Sequence, residues 1–281
     1  MSAPITICVA SFNTCAATEL CIRSIMRLAD HPYELRVGDS GSTDGSVATL
    51  ERFQERGLIT LERSPGSRTH ADWLDHWRQT CDSKLLLFVD SDIEFRRASW
   101  LRQLVSIVRR TDPAIAYAEW LPPSLFTLDG LEARVVLRPA PWVLLIDAEQ
   151  TSELRSSFAV TYPETEPIIH DVGAAFFHEA VDRGLSTLAL PPSFRRCYHH
   201  YGGLSWLPVT GPRGQKKLRD QRTVERRLRH LRRLQSATSV TCRVSATAQL
   251  AAFPQDALDA MFRIRTGVRR RCGRPPDTRG P

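Results

Sequence analysis

Short apolar runs alternate with amphipathic stretches over the first 92 residues, and polar residues close each run. Residues 5–10 (ITICVA) are apolar and β-rich, which predicts a buried strand ending in the polar turn Ser11-Phe12-Asn13-Thr14. Leu20, Ile22, Ile25 and Met26 fall at helical spacing within 18–28, with Thr18 as the expected N-cap and His31-Pro32 as the stop. A second strand is predicted at 33–38. A helix through Val47, Leu50 and Phe53 follows, capped by Ser46 or Asp44. A third strand is predicted at 58–61, then a helix carrying Trp73, Leu74 and Trp77. Leu85-Leu86-Leu87-Phe88-Val89 is the purest run, five apolar residues that stop at Asp90-Ser91-Asp92. Such a run fits a strand buried on both faces of a parallel sheet. The order β-α-β-α-β-α-β, with each strand running into a polar loop, predicts an α/β fold with a mostly parallel, doubly wound sheet.

The pattern continues less regularly. Trp100, Leu101, Leu104, Val105 and Ile107-Val108 predict a helix, residues 114–118 a strand, and 135–137 and 142–146 two further strands. Residues 148–168 are polar and aperiodic, which predicts a mobile or substrate-facing loop. A helix is expected from about His170 to Gly184 and a strand at 187–190 before Pro191-Pro192. Residues 212–236 form an Arg-rich helix with Val224, Leu228, Leu231 and Leu234 on one narrow stripe. A second helix is expected at 245–265, and Arg, Gly and Pro dominate from Gly267, which predicts a disordered tail.

Charge separates the two ends of the chain. The net charge is +7, but from Arg195 onward 20 Lys and Arg face 5 Asp and Glu, leaving 18 against 26 in the first 194 residues. The front is therefore acidic and the rear strongly basic, which predicts different partners. The seven cysteines form no C-x-x-C pair, so neither a zinc site nor a disulfide frame is expected, and the usage fits a reducing cytosol. No stretch is long and apolar enough for a membrane span, and the N-terminus shows no secretory signal.

The candidate chemistry begins at Asp90 and Asp92. In open α/β sheets ligands bind beyond the carboxyl ends of the strands. Two carboxylates this close repel unless a cation lies between them. A divalent metal carrying a phosphorylated ligand satisfies both facts; the plain alternative is a pair of solvated acids at a strand end. No G-x-G-x-x-G follows the first strand and no G-x-x-x-x-G-K-[ST] is present, so neither a dinucleotide fingerprint nor a P-loop is expected.

Four motifs now stand in order. They are Val9-Ala10-Ser11-Phe12-Asn13, Asp39-Ser40-Gly41-Ser42-Thr43-Asp44-Gly45-Ser46, Asp90-Ser91-Asp92 and His170-Asp171, with His200-x-Gly202-Gly203-x-Ser205 behind them. Over residues 5 to about 206 this set resembles the family 2 glycosyltransferases of GT-A fold, bacterial type. Two departures stand out. The opening motif lacks the family's proline, and the family's E-D pair reads His170-Asp171.

The resemblance implies transfer of a sugar from a UDP, GDP or dTDP donor to a glycan, lipid-linked or small-molecule acceptor, by inversion and with Mn2+ or Mg2+. It implies Asp39, Ser11 and Asn13 on the nucleotide, Asp90 toward the ribose with Ser91 beside it, Asp92 and His200 on the metal, and Asp171 as general base. Asp39 could equally organise its own turn, Asp171 could be a helix N-cap, and His199 competes with His200. Arg68 reaches the base or diphosphate, or is a solvated charge. The expected organisation is a GT-A domain at 1–206, a basic helical extension at 207–266 and a tail at 267–281. The expected location is cytoplasmic, with the basic region at the inner face of the membrane or packed on the domain; nucleic acid is not an expected partner. A nucleotidyltransferase and a non-enzymatic basic adaptor are the competing classes.

Overall fold

The computed structural model describes residues 5–64, 68–128, 131–161, 168–202, 204 and 211–237. In chain order the elements are β1 (Ile5–Ser11), α1 (Cys15–Leu28), β2 (Glu34–Asp39), α2 (Ser46–Glu55), β3 (Thr60–Arg63), α3 (His70–Thr80), β4 (Leu85–Asp90), β5 (Ile93–Phe95) and α4 (Trp100–Thr111). Then come β6 (Ile115–Tyr117), β7 (Trp120–Leu121), β8 (Ser124–Leu128), β9 (Leu131–Val135), β10 (Arg138–Pro139), β11 (Val143–Asp147) and β12 (Ile168–Ile169). The last are α5 (Ala174–Asp182), β13 (Thr187–Ala189), α6 (Pro192–Arg195), β14 (Tyr198–His200) and α7 (Gly211–Ala237).

The central sheet has seven strands in the order β13-β6-β11-β4-β1-β2-β3. Every neighbouring pair is parallel except those of β11, which runs antiparallel to β4 and β6. Alternation along the strands divides the core in two. Ile5, Ile7 and Val9 of β1 and Leu85, Leu87 and Val89 of β4 pack with α1, α2 and α4. Cys8, Leu86 and Phe88 turn the other way, onto Trp73, Leu74 and Trp77 of α3 and Phe176 and Phe177 of α5. The sheet is thus covered on both faces, as the uninterrupted apolar runs require.

Several boundaries differ from the sequence expectation. Helix α1 starts a turn early, with Thr14 at its N-cap. Thr18 is no cap: it is buried one turn inside, and its hydroxyl meets Ser11 Oγ at 2.9 Å and Thr14 Oγ1 at 3.0 Å. Helix α2 starts at Ser46 with a left-handed Gly45 as its N-cap, so neither Ser46 nor Asp44 holds that position. Asp44 Oδ1 accepts from the Ser46 N–H at 3.1 Å, and Oδ2 accepts from the Cys15 N–H at 2.8 Å. One carboxylate therefore accepts a backbone N–H from the first residue of both α1 and α2.

The polar stretch after β11 is not a mobile loop over its described part, residues 148–161. Leu154 and Phe158 are buried, and Phe158 stacks on Phe176 with ring centroids 4.5 Å apart. Side-chain carboxylates take up its backbone donors. Asp75 accepts from the Phe158 N–H at 2.9 Å, and Glu179 from Ser156 at 2.7 Å and Arg155 at 2.9 Å. These bonds, the Ser156 N–H foremost, hold the Glu179 carboxyl down at about 2. The expected second helix at 245–265 and the tail from 267 lie outside the described residues. Among the described residues no helix is long and apolar enough to cross a membrane.

Gly38 in β2 is required by a close approach. A Cβ there would sit 2.5 Å from Trp73 Cδ2, and Trp73 is itself buried. Gly38→Ala should lower the melting temperature by about 5–10 °C, since overpacking costs about 1–3 kcal/mol in a domain of this size. Thermal unfolding followed by circular dichroism checks this; an unchanged melting temperature would show that Trp73 can yield.

Candidate functional site

The parallel registers place two acids on either side of β1, with Asp39 opposite Ser11 and Asp90 opposite Ala10. Both lie at the carboxyl edge of the sheet, two strand spacings or roughly 10 Å apart. Asp92 follows in the turn after β4 and is buried. Strand β14 is antiparallel to β5, the strand right after that turn, and His200 pairs with Ile93. This short ladder brings a residue from far along the chain against the acids. His200 Nε2 lies 3.1 Å from Asp92 Oδ1 and 3.8 Å from Asp90 Oδ2. One ligand atom from each of Asp90, Asp92 and His200 lies within 4.8 Å of the others.

The backbone fixes this cluster. Asp92 Oδ2 accepts from the Leu204 N–H at 3.2 Å, and its carbonyl accepts from the Tyr201 N–H at 3.1 Å. The Trp142 ring lies against His200 with centroids 4.6 Å apart. His199 is one residue earlier on the strand, is exposed, and stands edge-on to Tyr201. Strand alternation therefore decides between the two histidines, and His200 is the one that meets the acids.

Electrostatics make the cluster cation-seeking. Burial pushes the Asp90 carboxyl above its ordinary range, and the Asp92 charge adds to this against the opposing pull of His70 and His200. Burial works against the Asp92 charge too, but contact with His200 outweighs it and keeps that carboxyl low. Burial likewise opposes the His200 charge, and the two acids overcome it and raise the imidazole. Asp90 Oδ1 and His200 Nε2 are buried without a well-directed hydrogen bond, each held by an ionic contact, to His70 at 3.3 Å and to Asp92 at 3.1 Å. Buried polar atoms without partners are uncommon. Two carboxylates and one imidazole with unsatisfied donor atoms suit Mn2+ or Mg2+.

On the other side, Asp39 does two things with its two oxygens. Oδ1 accepts from the Gly41 N–H at 3.0 Å and the Ser42 N–H at 2.9 Å, so the carboxylate does organise its own turn. Oδ2 is buried and has no partner, which leaves one acceptor for a ligand. Asn13, in the left-handed region at φ 50°, stitches the β1 loop to this turn. Its Oδ1 accepts from the Thr43 N–H at 2.8 Å, and its N–H donates to Ser42 Oγ at 2.9 Å. Arg68 lies over the Trp73 ring at 4.6 Å, so it is a stacked guanidinium and not a freely solvated one. Ser11 and Ser91 turn inward. Their hydroxyls belong to a buried relay, Ser11–Thr18–Thr14–Ser91, with links of 2.9, 3.0 and 3.0 Å.

The sequence profile described as Glycosyl transferase family 2 matches residues 6–183. The chain belongs to this family. No curated protein matches it in sequence. Among solved structures it is similar to the mannosyltransferase PcManGT from Pyrobaculum calidifontis, solved with GDP-Man and Mn2+. That likeness has a TM-score of 0.51 at 16% identity over 94% of this chain and 80% of the other. Two weaker likenesses are to S. aureus TarS with UDP-GlcNAc (TM-score 0.49, 14% identity, 82% and 70% covered) and to glucosyl-3-phosphoglycerate synthase from Mycobacterium tuberculosis with Mn2+ and UDP (TM-score 0.48, 17% identity, 82% and 80% covered). The fold is the GT-A glycosyltransferase fold.

In this family 2 chain Asp171 stands just before α5 and pairs with Arg138 of β10. It is not the helix N-cap, which is Gly173; its Oδ1 accepts from the Val172 N–H at 2.8 Å. His170, where the family has its acid, holds a bridge to Thr161 through its backbone, and burial, with His178 nearby, lowers its imidazole. Sequence reasoning missed three side chains. His70, the first residue of α3, brings Nε2 to 3.3 Å from Asp90 Oδ1. Trp142 covers His200, and Arg138 takes hold of Asp171. No spacing signals the first or third; for Trp142 the hint is its place at the head of the strand antiparallel to β4.

The glycosyltransferase domain also reaches the basic helix. Val224, Leu228 and Leu231 of α7 are buried against Ala17 and Leu20 of α1 and against Tyr201 and Leu204. Buried acids receive the arginines beside this stripe. Glu94 accepts from Arg227 at 2.6 and 2.8 Å, from Tyr201 Oη at 2.8 Å and from Arg96 at 2.9 Å. Glu19 pairs with Arg232 and with Arg23. The packed part of the stripe thus docks on the domain, whereas Leu234 stays partly exposed.

Proposed function

We propose that this glycosyltransferase moves a sugar from a nucleoside diphosphate donor to an acceptor hydroxyl, with inversion and with a divalent cation. The observation that carries the reading is the Asp90, Asp92 and His200 cluster, set beside an Asp39 that keeps one buried oxygen unpartnered. The GDP-Man and Mn2+ bound in the similar mannosyltransferase structure agree with it. Asp92 and His200 hold the cation, Mn2+ or Mg2+, which when bound offsets charge on the departing diphosphate. Asp90 offers one oxygen to the same cluster, and the oxygen facing His70 is left for the ribose. Asp39 Oδ2 accepts an N–H of the base, and the Asn13–Thr43 stitch keeps that pocket in shape. Arg68, held on Trp73, is placed for the base or the diphosphate. Ser11 and Ser91 shape the strand ends through their relay and backbone. Asp171 accepts the acceptor's proton, and Arg138 orients it.

Thermal-shift titration with UDP, GDP and dTDP tests this without an acceptor. At least one of them should stabilise the protein in the presence of Mn2+ and do so far less with chelator. Asp39→Ala should weaken that nucleotide about tenfold to a hundredfold while Mn2+ affinity stays unchanged. Absence of any stabilisation by the three nucleotides with Mn2+ would remove the proposal.

A further inference from the structure

Helix α7 has two chemically opposite sides. Its residues turn about 100° each, so positions three and four apart share a side. Val224, Leu228 and Leu231 form the side buried on the domain. Arg222, Arg226, Arg229 and Arg233 follow one another at spacings of four, three and four, and all four are exposed. On the helical wheel this row falls opposite the apolar one. Arg227 and Arg232 flank the buried side and are taken up by Glu94 and Glu19. The outer row is thus a separate set, about 16 Å long. A groove of about 470 Å³ runs among Arg226, Arg227, Arg229, His230 and Arg233. The whole helix carries ten Lys and Arg against two acids, Asp220 and Glu225, both half-buried.

We propose that this outer face docks the protein on an anionic lipid bilayer. Charge favours an array of phosphates. Among residues 218–234 the helix presents no Trp, Tyr or Phe on which a base could stack. One turn before Arg222, on the same face, stands Leu218, 52% exposed. An apolar side chain beside arginines gains little against a duplex phosphate backbone but fits the boundary between headgroups and acyl chains. The apolar stripe stays on the domain, so attachment is peripheral and electrostatic. The basic row supplies the attraction.

The experiment is vesicle flotation of the full chain with phosphatidylcholine, with and without phosphatidylglycerol, at low and high salt. Binding should require phosphatidylglycerol and fade at high salt. Each guanidinium near such a surface strengthens attachment about fivefold, so Arg222→Gln, Arg226→Gln, Arg229→Gln and Arg233→Gln together should weaken it at least a hundredfold. Pairs of these substitutions should each weaken it at least tenfold, and Arg→Lys at the same four positions should retain it. The melting temperature and the stabilisation by nucleotide with Mn2+ should not change, so this proposal and the donor reading fail separately. Equal vesicle binding by the fourfold Gln variant, no preference for phosphatidylglycerol, loss of binding in the Lys variant, or tighter binding to a short DNA duplex at the same salt would each overturn it.

Discussion

Replacing Asp92 by asparagine is expected to abolish Mn2+ binding at micromolar levels and to lower sugar transfer by at least about a thousandfold. The argument rests on what the substitution keeps. Asp92 is 5% exposed, and its Oδ2 accepts from the Leu204 N–H. An amide oxygen can still accept that bond, so the strap carrying His200 stays in place. What disappears is the charge that faces His200 at 3.1 Å. Loss of activity with an unchanged melting temperature therefore reads as loss of the cation and not of the fold. Titration calorimetry with Mn2+ alone separates the two, and a variant with wild-type Mn2+ affinity would rule out Asp92 as a ligand. His200→Ala should behave similarly, whereas His199→Ala, on the other face of β14, should leave Mn2+ affinity within about twofold.

Arg227→Ala is expected to be the most damaging change outside the site. Glu94 is 1% exposed and takes two of its hydrogen bonds from Arg227. Removing the guanidinium leaves a buried carboxylate with only Tyr201 and Arg96. The cost expected is about 2–4 kcal/mol, below the full penalty of an isolated buried charge because those two partners remain. The melting temperature should fall by about 5–15 °C. Acid sharpens the same point. Burial disfavours the Glu94 and Glu19 charges, but their arginine partners outweigh it and hold both carboxyls below the ordinary range. Stabilisation by such groups is fully present above the unfolded carboxylate range, near pH 4.5, and is lost as pH falls through the depressed folded values. Wild-type protein should therefore lose stability in that acid window, and Arg227→Ala with Arg232→Ala should lose less of it there, having less to lose. Denaturant unfolding across pH checks the slope; equal slopes would mean the pairs carry no stability.

The parts legible from sequence are those with a local physical signature. The run ending at Asp90 reads as a doubly buried strand, and such a strand puts the acids at its end on the sheet's carboxyl edge. Asp39 was readable as a turn organiser from its Gly- and Ser-rich surroundings, and a role toward a nucleotide came only from the family resemblance; the fold uses one of its oxygens for the turn and leaves the other unpartnered. Thr18 misled because a threonine ahead of an apolar stripe reads as a cap, and its partners in a buried hydroxyl relay come from β1 and the turn after it. Residues 148–168 read as a mobile or substrate-facing loop because they lack periodicity, while the packing of the described part, 148–161, draws on Asp75 and Glu179 of distant helices. His70 and Arg138 were unreadable for the same reason, since tertiary proximity alone gives them a role. The basic charge of α7 was plain in composition, but the buried Glu19 and Glu94 that absorb part of it were not.

Asp44 has one more consequence. Helices α1 and α2 follow β1 and β2, so both of their N-termini open at the sheet edge where a diphosphate would lie. In phosphate-binding loops such helix ends supply the positive potential themselves. Here a single carboxylate bridges the two helix starts and offsets part of that potential at both. These two helix starts therefore offer an anion less positive potential than they would without Asp44. The proposed cation would supply the positive charge that these two helix starts give up to Asp44.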